Sequence, residues 1–148
     1  MNFMNEALIE AKKAFDEEEI PVGAVIVKDN KIIARDHNRC ESKSDSTLHA
    51  EMNVIKKVIK DFGEKVLDGC ELYVTVEPCP MCAGAIINSR IKRVYIGCAQ
   101  PKTGSLGSVC DLSTLFPHKP EIYFGFCEDE CKDLMQKFFE IKRKNNEG

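Results

Sequence analysis

No stretch of this 148-residue sequence stays apolar for the roughly 20 residues that a membrane helix needs, which argues against a chain that crosses a bilayer as a helix. Its beginning, MNFMNEALIEAKKAFDEEE, has neither the basic flank nor the unbroken apolar core of a secretory signal, so the cytoplasm is the expected compartment. There is no excess of basic charge. The net charge is −3 and the pI is near 5.7, so any nucleic-acid partner must meet a local patch. The sequence also lacks internal repeats, linkers and low-complexity segments, and one domain spanning 1–148 is expected. The glycine-bearing stretch PKTGSLGS lacks the GKS or GKT of a phosphate loop, and no organic cofactor is assigned to it. Eight cysteines are present, but scattered through a well-patterned chain they read as reduced thiols, some bound to metal, and not as a disulfide scaffold.

Apolar spacing predicts alternating elements. Met4, Leu8, Ala11 and Phe15 recur at helical intervals and stop in the acidic run DEEE. VGAVIVKDNKIIARDHN places two β-branched runs around Asp29 and Asn30, residues that tolerate the positive φ of a tight hairpin. Met52, Ile55, Val58, Ile59 and Phe62 form a second helical stripe that ends at Gly63. ELYVTVEP reads as a buried strand, a short helix follows from about Met81 to Ser89, and RVYIG is another strand. This βαβ alternation implies parallel pairing and a sheet with helices on both faces. EIYFGF and a final helix bearing Leu134, Met135, Phe138, Phe139 and Ile141 complete the chain.

Within TVEPCPMCAG, Pro80 is well placed to start a helix that presents Cys79 and Cys82 on one face, near an N-terminus that favours thiolates. On that segment alone a metal clasp, a redox dithiol and a pair of small buried thiols all remain open. STLHAEMNVI adds His49 and Glu51 at the head of the second helix, with Asp45, Ser46 and Thr47 as capping material. One imidazole and two thiolates make three zinc ligands with the fourth position open to water, the arrangement of a catalytic and not a closed structural site. Zinc acidifies such a water, and Glu51, not itself a ligand, is placed to take and return its proton. A closed site would need Cys70, Cys98 or Cys110 as fourth ligand, and none of them comes with a second Cys-x-x-Cys. Cys127 and Cys131, four apart on the last helix, read as a packing face, and Cys40 has no assigned role.

His-x-Glu followed about thirty residues later by Pro-Cys-x-x-Cys is the signature of zinc-dependent nucleobase deaminases. The sequence resembles the bacterial tRNA adenosine deaminases over nearly its whole length, in the blocks IPVGAVIV, RDHN, HAE, LYVTVEPCPMCAGAI, SRIKRV, PKTGSLGS and CEDECKDLMQKFFEIKRK. That resemblance implies an α/β cytidine deaminase-like fold, three layers in α/β/α order around a mixed sheet of about five strands. It implies hydrolysis of adenosine to inosine at the wobble position of a tRNA anticodon loop, one Zn2+ per subunit, and a homodimer. It further implies that His49, Cys79 and Cys82 hold the metal, that Glu51 shuttles protons, that Asn38 bonds the target base, and that Ile20, Pro21 and Val22 form an apolar pocket around it. Gln100 stands where the family commonly has an acidic residue that contacts the nucleotide backbone; glutamine donates as well as accepts. Leu48 replaces a smaller residue and is similar to the TLHGE stretch of fungal-type cytosine deaminases, placing a bulkier side chain at the pocket wall. Two further readings stand beside the first: a deaminase of a free base or nucleoside such as cytosine or guanine, and a non-catalytic zinc scaffold, against which the presence of Glu51 counts. Lys137, Lys142, Arg143 and Lys144 offer a local basic edge for phosphates or a solvated helix face.

Overall fold

A computed structural model describes residues 2–63 and 67–147. In chain order the elements are α1 (Phe3–Asp16), β1 (Gly23–Lys28), β2 (Lys31–His37), α2 (Ala50–Phe62), β3 (Glu71–Val76), α3 (Pro80–Asn88), β4 (Arg93–Cys98), β5 (Glu121–Phe124) and α4 (Glu128–Glu147), with a short 3₁₀ turn at Leu112–Leu115 before β5. The five strands form one mixed sheet in the order β2-β1-β3-β4-β5. The β1/β2 hairpin turns at Asp29 and Asn30, both with positive φ, and its register breaks once between Ile26 and Val27. β3 runs antiparallel to β1, whereas β3, β4 and β5 are parallel, so their connections must return the full length of the sheet. α3 makes the first return; the second, from 99 to 120, has only the 3₁₀ turn for regular structure.

α1 and α4 pack together against β1, β3 and β4, and α2 and α3 pack together with α2 on β1 and β2, giving a helical layer on each side of the sheet. β1 is inaccessible through Val27 because both its faces are covered. Gly23, at the start of β1, lets α1 sit backbone-close: an added Cβ would overlap the Ala7 carbonyl and the Ala11 amide. On the other helical face Ile55 and Val58 of the predicted stripe are buried, Met52 is half-buried, and Ile59 and Phe62 remain exposed near the helix end, while Val54, outside the stripe, is fully buried.

An ion-pair network joins α1 to β2. Glu10 accepts from Arg35 Nε at 2.8 Å and lies 3.0 Å from His37 Nδ1, whose Nε2 is 2.7 Å from Glu17. Burial alone would raise the Glu10 carboxyl, but hydrogen bonds from His37, Lys13 and Arg35 hold it down to about 2. Asp36 beside it is matched by Arg39 and Lys57. Glu10, Asp36 and His37 are close enough together to hold a metal, yet their oxygens are already taken by cations of the chain, so the cluster acts as a tie between elements.

Cys131 is buried on α4 against the sheet, consistent with a packing role. Cys127 differs from the expectation: it precedes α4 with φ 54° and is half-buried, because the turn out of Gly125 must reverse the chain before the helix begins. The close seating of α1 on β1 carries a direct expectation. Gly23→Ala should lower the unfolding free energy by about 1–3 kcal/mol, the usual cost of overpacking, in urea titrations followed by circular dichroism.

Candidate metal and catalytic site

The site forms where two helices begin beside the end of β3. After β2 the chain is pinned by Asn38, whose Oδ1 accepts the Ala50 N–H at 2.7 Å, and by Asn53, whose Nδ2 donates to the His37 carbonyl at 2.9 Å. These bonds fix the first turn of α2 and leave His49 as its N-cap residue, in extended conformation with no side-chain cap bond. The expected caps do something else: Asp45 Oδ1 accepts from the Thr47 amide at 2.9 Å and hydroxyl at 2.6 Å, closing a turn before the helix. The donor at the helix start is satisfied from a distance, by Asn38.

On the neighbouring element, β3 ends at Val76, Glu77 and Pro78 follow, and Cys79 is the N-cap of α3 with Pro80 in its first turn. Cys79 has no side-chain cap bond either. His49 Nδ1 lies 3.6 Å from Cys79 Sγ and 3.5 Å from Cys82 Sγ. Tetrahedral zinc with ordinary Zn–N and Zn–S bonds sets its nitrogen and sulfur ligands about 3.6 Å apart, so the residues fit the ion. All three ligand atoms lie within 4.8 Å of one another. The chemistry of the donor set agrees: the Cys79 thiol is held down to about 4 by its hydrogen bond with Cys82, against burial and with help from His49, while Cys82 is pushed up by its bond to Cys79 and by burial. Two thiols and one imidazole converging at these distances are the donor set a divalent cation completes. Among the described residues no fourth cysteine joins them; Cys70 and Cys98 are buried elsewhere and Cys110 is exposed.

Glu51 lies 4% exposed in the first turn of α2, and burial pushes its carboxyl up to about 7. With His49 and Cys79 it borders a cavity of about 210 Å³. Ile20, Val22, Val76 and Met135 give that cavity apolar walls, and Asn38, Gln100 and Thr103 give it polar ones. Cys82 is fully buried beneath the cavity.

Two expected wall residues are not on the wall. The Val22 amide bonds to the Ile20 carbonyl at 2.8 Å, a three-residue turn that points Ile20 and Val22 into the cavity and turns Pro21 away. Leu48 sits at the centre of a three-residue turn, in which the His49 amide bonds to the Thr47 carbonyl at 2.9 Å, and it is His49 and not Leu48 that borders the cavity. Seven residues outside the expected set also line it: Glu77 just before the Pro-Cys motif, Val76 at the end of β3, Glu19 after α1, Cys40 and Glu41 after β2, Thr103, and Met135 reaching across from α4.

Residues 1–98 match the model for the cytidine and deoxycytidylate deaminase zinc-binding region. The chain is 44% identical to the tRNA-specific adenosine deaminase of Bacillus subtilis (strain 168) across 99% of its own length and 92% of that protein, and 42% identical to the one from Aquifex aeolicus (strain VF5) across 97% and 95%. A solved structure from a study of A-to-I editing by tRNA:A34 deaminases at the wobble position of transfer RNA superposes with a TM-score of 0.83 at 41% identity, covering 89% of this chain and 97% of that one. A guanine deaminase from Nitrosomonas europaea, 19% identical with a TM-score of 0.77 over 91% of this chain and 81% of its own, shares the fold. The chain belongs to the tRNA-specific adenosine deaminase family and carries its zinc-binding region.

Proposed function

We propose that this chain catalyses the hydrolytic deamination of adenosine to inosine at the wobble position of a tRNA anticodon loop, as one deaminase domain spanning 1–148. The observation that carries the reading is the buried Glu51 carboxylate beside the His49, Cys79 and Cys82 group, in a cavity whose wall includes Asn38. Zinc held by those three residues supplies an acidified water and a Lewis acid. Glu51 takes the proton released by that water and delivers it to the ring nitrogen next to the amino-bearing carbon; it then takes the proton of the hydroxyl added at that carbon and passes it to the amino group, which leaves as ammonia. Adenosine and water thus give inosine and ammonia with the carboxylate regenerated.

The walls orient and exclude. Asn38 Oδ1 is committed to the Ala50 amide, so its NH₂ group is the part left to bond the base. Ile20 and Val22 keep bulk water from the ring. Gln100 Oε1 accepts from the Lys102 amide at 3.2 Å, which leaves the Nε2 donors for a sugar or phosphate oxygen. First-turn amides of α3 would oppose the negative charge that develops on the oxygen added at the reacting carbon. An anticodon loop suits the cavity because its bases are already partly unstacked and cost less to extrude than bases in a duplex.

A groove beside the cavity shares Ile20 and Glu41 with it and continues to Phe138, Phe139 and Lys142 of α4; of the basic edge Lys142 lines it, beside Glu17, Glu18 and Glu41. Because Leu48 is off the wall, it gives no support to a cavity restricted to free bases. The cytoplasm, where tRNA and reduced thiols meet, is the compartment in keeping with this reading; no helix of the described residues is long and apolar enough to cross a membrane. A homodimer accords with the exposed apolar side chains Ile59, Phe62, Met81 and Leu115 on α2, α3 and the 3₁₀ turn.

Purified zinc-loaded protein should form inosine in an anticodon stem-loop carrying wobble adenosine and leave free adenine, adenosine, cytosine and guanine unchanged; turnover of a free base with none of the RNA would overturn the substrate. Glu51→Gln should abolish turnover while elemental analysis still finds one zinc per subunit, because the three ligands remain; loss of zinc together with activity would reject the proton-shuttle role. Sedimentation velocity at micromolar concentration should give twice the chain mass, and a monomer there would reject the dimer.

A further inference from the structure

We infer that Glu77 is a positioning residue that holds the segment carrying Gln100 and Thr103 in place as one wall of the cavity, an inference that rests on the deaminase reading above. Glu77 is 3% exposed and stands two residues before Cys79. Its carboxylate accepts three backbone N–H groups from a segment more than twenty residues away: Gln100 at 3.1 Å on Oε1, and Leu106 at 3.2 Å and Ser108 at 3.0 Å on Oε2. The Ser105 amide adds a bond to the Pro78 carbonyl at 3.0 Å, from the residue between Glu77 and Cys79.

The segment needs such an anchor because it lies in the 99–120 return between parallel strands, with no ladder of its own beyond the isolated Leu106–Asp111 bridge. It folds back on itself through the Gly104 amide to the Gln100 carbonyl at 2.8 Å and the Val109 amide to the Gly104 carbonyl at 2.9 Å. The Gln100, Leu106 and Ser108 amides turn inward, onto the Glu77 carboxylate. Gly104 is the close-approach point: a Cβ there would collide with that carboxylate and with the Gln100 carbonyl. Gln100 and Thr103, held by this folding, face the cavity. Glu77 also faces it, but with its oxygens engaged by backbone donors it acts on the substrate through the wall it holds. One residue therefore fixes the register between a polar wall and the metal ligand two positions on.

The test compares zinc-loaded wild type with Glu77→Gln, which turns an N–H donor toward donors, and Gly104→Ala, which keeps the carboxylate but displaces it. Zinc content, amide hydrogen exchange by mass spectrometry and steady-state kinetics on the wobble-adenosine stem-loop are measured for all three. Both variants should keep one zinc per subunit and speed exchange within 100–108 by about tenfold, leaving α1 and α2 unchanged, since a lost charged acceptor is worth about one such factor. KM for the RNA should rise about tenfold with kcat changed less than about threefold, the split expected when substrate placement is impaired and proton transfer is not. Unchanged exchange in both variants, faster exchange with KM within about twofold of wild type, or zinc loss with exchange raised throughout the chain would each overturn the inference. If the wild type turns over a free base and not the RNA, the proposed substrate fails and the same KM and kcat comparison on that base decides the role of Glu77. If the wild type turns over nothing, the deaminase reading fails and localised exchange alone decides whether Glu77 holds the segment.

Discussion

The hydrogen bond from the Ala50 amide to Asn38 Oδ1 is the constraint on which the site depends. It brings the chain leaving β2 against the first turn of α2, and so sets where His49 stands relative to the end of β3. A hydrogen bond between buried groups is costly to leave half-made, and here the loss would expose both a helix donor and an amide oxygen to a site with little water. With α2 fixed, α3 supplies Cys79 and Cys82 from its own first turn, and the imidazole and thiols meet at zinc-ligand separations. The same asparagine is left with one free end, its NH₂ group, on the cavity side. One atom of this amide thus holds the helix start while the residue also lines the cavity.

A second regularity concerns the rims of the cavity. Glu19, 1% exposed, accepts the Glu41 and Ser42 amides at 2.9 and 2.7 Å, much as Glu77 accepts amides across the cavity. Burial would raise the Glu19 carboxyl, but these backbone donors hold it below the usual carboxylate range. Two irregular segments that a ladder does not support are each fastened to a buried carboxylate. Such fastening allows polar side chains to project from loops without the looseness that loops otherwise bring.

The repeating patterns in the sequence were enough to place the sheet. Asp29 and Asn30 marked the hairpin because only a few residues accept its backbone, and the spacing of Ile55 and Val58 marked the buried face of α2 because helical geometry repeats, though Ile59 and Phe62 of the same stripe are exposed. His49, Glu51, Cys79 and Cys82 were legible for a related reason: metal ligation and proton transfer demand particular atoms at short spacings within each element. The anchors were not legible. Asn38 caps a helix from twelve residues away, and Glu77 finds its partners 23 to 31 residues on, so no local pattern betrays either role. Pro21 and Leu48 do not line the cavity in this structure, since neighbours in a tight turn face different ways and sequence proximity to a site residue says nothing of direction. Met135 shows the same limit at longer range, arriving from the last helix by tertiary packing alone.

Both N-cap positions at the site are occupied by residues whose side chains are directed to a metal and make no cap bond, His49 for α2 and Cys79 for α3. A polar cap is ordinarily worth about 1 kcal/mol to a helix, so the fold forgoes that support at the two ends it most needs to hold still. Zinc held by His49 and Cys79 would replace it and tie the two starts to each other. Metal supply therefore becomes part of this protein's folding equilibrium: strong chelation would be felt as a loss of native population as well as of chemistry, and a cell poor in zinc would hold less of the folded chain to begin with.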